Sequence, residues 1–323
     1  MTVSKDQLAA LLADMAPVRS TGGQGILAAP AAAAVPPATG IPAGPPESTL
    51  RELRQVLMDY EAARPRSMQK ALGPSELGTP CDQQIARKLV GAPRVPVTEP
   101  TWAPFQGTAV HASMEDVVAF WNRQLGRERW LAEDRLVIDE GVPGVDPIAG
   151  SGDAFDQDWG MVVDWKHTGK TAREKLARAK RMGKPPAEQV SPEYRVQAHL
   201  YGMGHANKGR PVRWVRLVLL ARDYSFDASE EWTEAYDPDI AYAAIYRYFG
   251  LHDAINALGG PEHIGDLIAA IPASPSNDGC KWCPFRTPGR PASWQGCPGN
   301  KPLAQIVERA TRGLIDPDTQ EMR

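Results

Sequence analysis

Two acidic segments, eleven residues apart, constrain the fold of this chain most strongly. Asp153 ends a stretch that begins at Ile148, and Asp164 follows the apolar residues Met161 to Val163. Both stretches have strand-like composition, and the polar residues 156 to 160 between them are typical of a turn, so the pattern predicts a hairpin-like pair of strands. Because side chains alternate along strands, such a pair can bring Asp153, Asp164 and Lys166 to one point.

Two carboxylates and a lysine at one point are the minimum set for a hard divalent metal and an activated water. The tripeptide Asp164-Trp165-Lys166 alone is weak, since such tripeptides arise often by chance. Its significance therefore depends on the motifs around it.

The upstream motif is a predicted helix that opens at Gly107 and runs to about Leu125. Its apolar residues recur at helical spacing and are expected to form the buried side: Val110, Met114, Val117, Val118 and Trp121. His111 and Glu115 are four residues apart, so they share one face of this helix.

The downstream motif is Gln197 and Tyr201, also four residues apart. Their helix has a clear beginning, with Ser191 as N-cap and Pro192 at the first position. The chain thus carries, in order, a histidine, two aspartates, a lysine and a glutamine–tyrosine pair.

This order resembles the RecB-like nuclease branch of the PD-(D/E)XK superfamily. The residues that carry the resemblance are Gly107, His111, Glu115, Asp153, Asp164, Lys166, Gln197 and Tyr201. The resemblance implies an α/β, restriction-endonuclease-like mixed sheet flanked by helices. It also implies hydrolysis of DNA phosphodiesters, most often exonucleolytic on single-stranded ends.

The resemblance further implies roles for individual residues. His111, Asp153, Asp164 and the backbone carbonyl of Trp165 would hold Mg²⁺ or Mn²⁺, and Lys166 would orient the attacking water. Glu115, Gln197 and Tyr201 are expected at the catalytic site as well. Taken one at a time, His111 could be an ordinary helix histidine, Glu115 a solvated residue, and Gln197 and Tyr201 packing residues.

The cysteines extend the resemblance. There are four, with Cys81 far upstream and Cys280, Cys283 and Cys297 clustered downstream. This division resembles the iron–sulfur subgroup of the family, which includes the exonuclease of CRISPR adaptation. A [4Fe–4S] cluster would there form a clasp between the two ends of the domain. Tetrahedral zinc is the rival metal, and four unrelated buried thiols are the third possibility.

The basic residues are concentrated beside the predicted catalytic strand, although the whole chain has a formal net charge of −3. Against one acid, Glu174, this segment holds Lys166, Lys170, Arg173, Lys175, Arg178, Lys180, Arg181 and Lys184. Its residues from Lys170 onward are predicted to bind the DNA backbone, and an ordinary solvated helix face is the alternative.

The first 46 residues are predicted to be a flexible tail with a short helix near residues 4 to 16 and an Ala/Pro-rich linker. Residues 47 to 323 are predicted to form a single nuclease domain. The tail is a possible docking segment for a recombination or replication protein, and oligomers are possible. No segment is apolar enough for a membrane span or a signal peptide, so a cytoplasmic location is expected.

The remaining elements predicted are a helix from Glu47 to Ala63, a strand from Trp130 to Ile138, a strand from Val212 to Ala221 and a last helix from Leu303 to Leu314. The alternative function is a non-catalytic module that binds DNA ends or a partner on the same fold. In that case the cysteines would serve only a structural zinc or iron–sulfur site.

Overall fold

The computed structural model of the chain describes residues 49–63, 72–95, 102–141, 145–223 and 225–257, and near the C-terminus 271, 273, 280, 283–288 and 296–299. The predicted tail and linker, and the predicted helix from Leu303 to Leu314, lie outside the described residues. The described residues after Thr49 all belong to one compact unit. None of the helices in the described ranges is both long enough and apolar enough to cross a membrane.

Seven α-helices and five strands make up the described part. The helices are α1 (Thr49–Ala63), α2 (Pro74–Leu77), α3 (Asp82–Leu89), α4 (Trp102–Leu125), α5 (Lys170–Arg181), α6 (Pro192–Asn207) and α7 (Pro238–Ala257). The strands are β1 (Trp130–Asp139), β2 (Ile148–Asp156), β3 (Met161–Thr168), β4 (Trp214–Ala221) and β5 (Glu230–Ala235).

The five strands form one mixed sheet in the order β1-β2-β3-β4-β5. Strand β2 is antiparallel to both β1 and β3, β4 runs parallel to β3, and β5 is antiparallel to β4. The parallel step from β3 to β4 needs a long crossover, which α5 and α6 provide. The predicted α/β class with a mixed sheet is therefore confirmed.

Helices cover both faces of the sheet, as the alternation of β3 requires. Val162 belongs to the main core, which holds α6 and α7 side chains such as Leu200 and Ile245. Its neighbour Val163 belongs to a smaller cluster with Val118 of α4. Asp164 and Lys166 have the same parity as Val162, so they follow the α6 side of the strand.

Helix α6 is buried along most of its length and fixes the depth of the main core. Its residues from Gln197 to His205 are all buried. Gly204 allows this close approach, because a Cβ atom there would lie 2.8 Å from Cβ of Leu136 on β1. The side chains of α6 that face β3 are therefore held at a fixed distance from the sheet.

The turn between β2 and β3 occupies residues 157–160 and ends at Gly160, whose φ is +58°. A side chain there would be strained, and its Cβ would also collide with the carbonyl oxygen of Pro211. This turn sets a register in which Ala154 pairs with Val163.

Helix α4 differs from the prediction in two respects. It begins at Trp102, so Gly107 lies within the helix rather than opening it. The predicted buried side is also wrong in part: Val118 is buried, but Val117 and Trp121 are exposed. The reason is that α4 meets the sheet along a narrow line centred on Val118, instead of lying on it with a broad face.

Candidate active site

The end of the β2–β3 ladder brings the two predicted aspartates together. The last paired residues are Ala154 and Val163, and one step further the same register places Asp153 opposite Asp164. Beyond the last backbone pair, a side chain links the two strands: Oδ2 of Asp153 accepts a hydrogen bond of 2.7 Å from the Trp165 N–H. Asp153 is thus anchored across both strands.

Asp164 and Lys166 form a buried ion pair on β3, with 2.7 Å between Oδ2 and Nζ. Neither carboxylate oxygen of Asp164 has a hydrogen-bond partner of good geometry. Burial raises the pKa of Asp164 to about 6. Burial alone would lower the pKa of Lys166, but the charges of Asp164 and Asp153 outweigh it and raise that pKa, so the lysine stays protonated.

His111 reaches this point from α4. Its Nδ1 lies 3.1 Å from Oδ1 of Asp153, and the ring is half-buried. The hydrogen bond with Asp153 raises the pKa of His111. Helix α4 and the β2–β3 hairpin therefore meet at the Asp153 carboxylate, as the order of motifs predicts.

Glu133 on β1 is the third member of this cluster, and sequence reasoning missed it. One ligand atom from each of His111, Glu133 and Asp153 lies within 4.8 Å of the other two. Glu133 stands opposite Asp153, since Ala132 pairs with Ala154 and Asp134 with Gly152. Its φ of +46° is strained for a non-glycine residue. Neither the pairing nor the strain is visible in sequence, because a long connection separates β1 from β2.

The side chains of this cluster fit a divalent cation in type and in charge. Carboxylate oxygens and one imidazole nitrogen suit Mg²⁺ and Mn²⁺, and imidazole favours Mn²⁺ somewhat. Asp164 adds a buried carboxylate that pairs with Lys166 at 2.7 Å. A buried carboxylate is normally offset by positive charge, and Lys166 and the nearby His111 both act in that direction.

Helix α6 covers the other side of Lys166. Gln197 and Tyr201 are both buried, and Gln197 Nε2 donates a hydrogen bond of 3.3 Å to Tyr201 Oη. Burial raises the pKa of Tyr201 to about 12, so its hydroxyl remains a hydrogen-bond donor. Tyr194 was also missed: Lys166 Nζ lies 5.3 Å from the centre of its ring. The spacing of residues 194, 197 and 201 on one helix face is the sequence signal that could have found it.

Glu115 is placed differently. Its side chain is exposed on α4, and it does not belong to the cluster of His111, Glu133 and Asp153. Its expected role at the site stays a prediction, and Glu133 is the carboxylate that the geometry offers in its place.

Three solved structures are similar to this chain, all at low identity. An alkaline exonuclease from Laribacter hongkongensis, LHK-Exo, matches with 14% identity and a TM-score of 0.35, over 60% of this chain and 91% of that one. The same exonuclease in complex with dAMP matches with 16% identity and a TM-score of 0.37, over the same shares of the two chains. The protein SSO0001 matches with 15% identity and a TM-score of 0.39, over 74% of this chain and 94% of that one. No protein-family model and no curated protein matches the sequence.

The basic segment forms α5 and the turn after it, and its members differ in their surroundings. Arg178 and Arg181 are exposed, and Lys175 also projects from the surface. Three of the lysines lie near carboxylates: Lys170 at 3.7 Å from Glu174, Lys180 at 3.1 Å from Glu230 and Lys184 at 3.6 Å from Glu188.

Arg173 has a structural environment. Its side chain is buried, it donates a hydrogen bond of 2.6 Å to the carbonyl of Ala228, and it pairs with Asp223. These contacts join α5 to the segment between β4 and β5. Arg173 is therefore engaged within the protein, unlike the exposed arginines of the same helix.

The four cysteines line one cavity, together with Gln83, Arg87 and Phe285. All four are free thiols and partly buried, and burial raises the pKa of Cys283. Two backbone bonds of 2.7 Å join Cys297 to Phe285 and Thr287. The chain thus brings Cys81 beside the three downstream cysteines, as the clasp requires.

Backbone and side-chain contacts between α3 and the cysteine-bearing loop support this arrangement. Arg87 is buried, and its Nη2 donates a hydrogen bond of 3.2 Å to the Gly296 carbonyl. Val95 N–H bonds the Pro284 carbonyl at 2.7 Å, and Gln83 bonds the Ile271 carbonyl at 3.2 Å. Burial lowers the pKa of Arg87, while the nearby thiols of Cys297, Cys283 and Cys81 act in the opposite direction.

Proposed function

We propose that this chain is a metal-dependent deoxyribonuclease that hydrolyses DNA phosphodiester bonds from the ends of single strands. The observation that carries the proposal is the convergence of His111, Glu133 and Asp153 beside the buried Asp164–Lys166 pair. Four elements supply these groups: α4, β1, β2 and β3. A packing role does not explain why carboxylates, an imidazole and an ammonium would be collected at the open end of one strand pair.

The residues divide into those that would hold the cation and those that would act on the substrate. His111, Asp153, Asp164, the Trp165 carbonyl and Glu133 are the groups that would hold Mg²⁺ or Mn²⁺. Such a cation lowers the pKa of a bound water and offsets charge on the phosphate.

Lys166 would donate hydrogen bonds to the attacking water or to the phosphate oxygens as their charge increases. Its raised pKa supports this role, because a protonated ammonium is the form that can donate. Tyr194 and Tyr201 lie near the same ammonium, and Gln197 bonds Tyr201; together they would keep the ammonium directed toward the substrate.

The exposed basic residues of α5 would bind the phosphates that flank the cut. Helix α5 begins two residues after β3 ends, so its Arg178 and Arg181 lie on the element that directly continues the catalytic strand. The preference for single-stranded ends rests on the family resemblance of the sequence motifs.

The cysteine cavity is proposed to hold a structural [4Fe–4S] cluster. In a zinc tetrahedron with Zn–S bonds of about 2.3 Å, neighbouring sulfurs lie about 3.8 Å apart. No three cysteine sulfurs among the described residues lie within 4.8 Å of one another. The wider spacing favours a cubane, in which each thiolate binds a different iron.

The test is digestion of end-labelled DNA with Mn²⁺ or Mg²⁺, using linear single strands, linear duplexes and circular single strands. The proposal expects stepwise loss of nucleotides from linear single strands, none from circles, and none when the metal is chelated. Binding without any cleavage, in protein shown to hold Mn²⁺, would support the non-catalytic alternative. Cleavage of circular single strands would show that the activity is endonucleolytic, because circles have no free ends.

A further inference from the structure

A groove lined by four tryptophans crosses the α4 side of the sheet, away from the residues of the candidate active site. It has a volume of about 610 Å³ and contains residues from α4 and all five strands, among them Trp121, Trp130, Trp159 and Trp214. Three of these indoles are unusually open to solvent: Trp159 is 61% exposed, Trp121 42% and Trp214 41%. A collection of large exposed aromatic side chains on one surface typically marks a binding site.

Two of the four indoles are held in place by their neighbours. Trp121 and Trp130 stack with ring centres 5.0 Å apart and an interplanar angle of 29°. The guanidinium of Arg129 lies over both rings, 5.7 Å from Trp121 and 5.2 Å from Trp130. Their orientation is therefore fixed before any ligand arrives, which reduces the entropy lost on binding.

The groove also offers an unused hydrogen-bond donor. Trp130 is only 6% exposed, and its buried indole Nε1 has no hydrogen-bond partner among the residues that the structure describes. A buried N–H without a partner is costly, and a ligand with an acceptor atom would relieve that cost. Ring nitrogens and carbonyl oxygens of nucleobases are acceptors of this kind.

The charges of the groove argue against a phosphate or an acidic peptide as the bound group. Arg129 forms two hydrogen bonds with Asp156, of 3.0 and 2.6 Å. Arg216 bonds Thr233 at 2.9 Å and lies 3.3 Å from Glu231. Both guanidiniums are thus already paired, and the surface that remains is aromatic with one N–H donor. A flat, uncharged ring with acceptor atoms is the matching ligand.

The groove shares helix α4 and strands β1, β2 and β3 with the candidate active site. Trp121 follows His111 by ten residues on α4, a rise of about 15 Å along the helix. Met161 of the groove precedes Asp164 by three residues on β3, about 10 Å along the strand. Along these elements alone, the offset of about 10 to 15 Å corresponds to about three to five nucleotides at about 3.4 Å each.

We propose that this tryptophan groove stacks one or two bases of the DNA strand undergoing hydrolysis, several nucleotides from the phosphate being cut. The inference rests on the proposed function for the identity of its ligand. It assigns base contacts to the groove and leaves phosphate contacts to α5. Stacking on indoles is tolerant of sequence, because every base has an aromatic face.

The test measures binding without metal, so that no hydrolysis can occur. Quenching of tryptophan fluorescence is followed as a thymidine oligonucleotide of about 12 nucleotides is added, and again with an abasic strand of equal length. Trp159→Ala and Trp214→Ala are compared with Trp159→Phe. Tyr246→Ala is the matched control, since Tyr246 is a 70% exposed aromatic on α7. Thermal unfolding verifies that each variant is folded.

Each alanine variant is expected to bind the thymidine strand about 5- to 100-fold more weakly and the abasic strand unchanged. Trp159→Phe should retain most of the affinity, and Tyr246→Ala all of it. The proposal would be overturned if affinity fell equally for both strands, or if it fell for neither. In the second case a protein partner would be the remaining ligand for the groove.

The proposed nuclease activity is judged separately, by Mn²⁺-dependent digestion with the wild-type protein. If the protein binds the thymidine strand through its bases but never cleaves DNA, the nuclease proposal is refuted and the groove proposal stands. If the protein cleaves DNA but its binding does not depend on Trp159 and Trp214, the nuclease proposal stands and the groove proposal is refuted.

Discussion

His111 Nδ1 lies 3.1 Å from Oδ1 of Asp153, although the two residues are 42 positions apart in the chain. This contact is where α4 reaches the β2–β3 hairpin, and Glu133 of β1 lies within the same small volume. A divalent cation held there would bind a helix and two strands at once. Its loss should therefore affect both catalysis and the packing of α4.

Glu133 rather than Glu115 is expected to be the carboxylate that binds the metal. Glu133→Gln should weaken Mn²⁺ affinity by about 10-fold or more, because it removes a charged oxygen from the cluster. Glu115→Gln is the matched control, being the same substitution at an exposed position four residues from His111. Calorimetric titration of both variants with Mn²⁺ distinguishes the two carboxylates. If only Glu115→Gln weakened Mn²⁺ binding, Glu115 would be the carboxylate at the site, as the sequence motifs predict.

The Asp164–Lys166 pair is expected to be needed for activity, and each of the two charges is expected to be needed for stability only while the other remains. Either Asp164→Asn or Lys166→Met should reduce DNA hydrolysis by at least about 10²- to 10³-fold. In the metal-free protein each single variant leaves one buried charge unpaired and should be destabilised by about 3 kcal/mol or more.

The double variant, Asp164→Asn with Lys166→Met, removes both buried charges and should regain that stability without regaining activity. Urea unfolding of the four proteins forms the cycle, and additive losses of stability in the double variant would contradict the pairing.

The exposed side chains of α5 are expected to control the salt dependence of DNA binding. Replacing Lys175, Arg178 and Arg181 together by glutamine should lower the slope of log K against log salt by about 2 units for single-stranded DNA, or about 0.7 per lost phosphate contact. Arg173→Gln is the contrasting variant: it should lower the melting temperature, since its guanidinium bonds Ala228 inside the protein. A slope that stays constant in the triple variant would make α5 an ordinary solvated helix.

The cysteine cavity predicts a specific metal content. Protein purified without oxygen should be brown and contain about four irons per chain, and Cys280→Ser should lose both the colour and much of the thermal stability. The loss of stability follows because Cys81 and Cys280 close a very long loop. Colourless protein with one tightly bound zinc would contradict the iron–sulfur cluster, but a single metal site would still join Cys81 to the downstream cysteines.

The sequence predicted most of the fold because its local signals agree with the final packing. Ser191 and Pro192 mark the start of α6, and the strand predicted from Trp130 to Ile138 is β1 (Trp130–Asp139). Asp153, Asp164 and His111 meet as the order of motifs implied. The failures depend on distant contacts: Glu133 enters the site only through the pairing of β1 with β2, and the exposure of Trp121 depends on the narrow contact between α4 and the sheet.

His205 is expected to make the protein less stable in acid. It is fully buried against Phe155, with ring centres 4.3 Å apart, and burial together with the charge of Arg210 lowers its pKa to about 4. The unfolded chain binds this proton near pH 6.5 and the folded chain only near pH 4, so stability falls as the pH drops through that window. The full effect amounts to about 3 kcal/mol.

His205→Gln removes this group, so the variant should lose less stability than the wild type between pH 7 and pH 4.5. His252→Gln, on α7, serves as the control. Guanidinium unfolding at the two pH values measures the difference, and parallel behaviour of all three proteins would show that His205 does not titrate as described.

The tight turn at Gly160 has a consequence for how this chain can change its length. Strand faces alternate residue by residue, so a slip of one residue between β2 and β3 would turn Asp164 and Lys166 to the opposite side of the sheet from Asp153. An insertion beside Gly160 that forces such a slip would therefore separate the two aspartates. Insertions in the exposed turn after α5 would leave that relation intact. The register at this turn therefore keeps the two aspartates on one side of the sheet. Engineered loops, tags or domain fusions should be placed elsewhere in the chain.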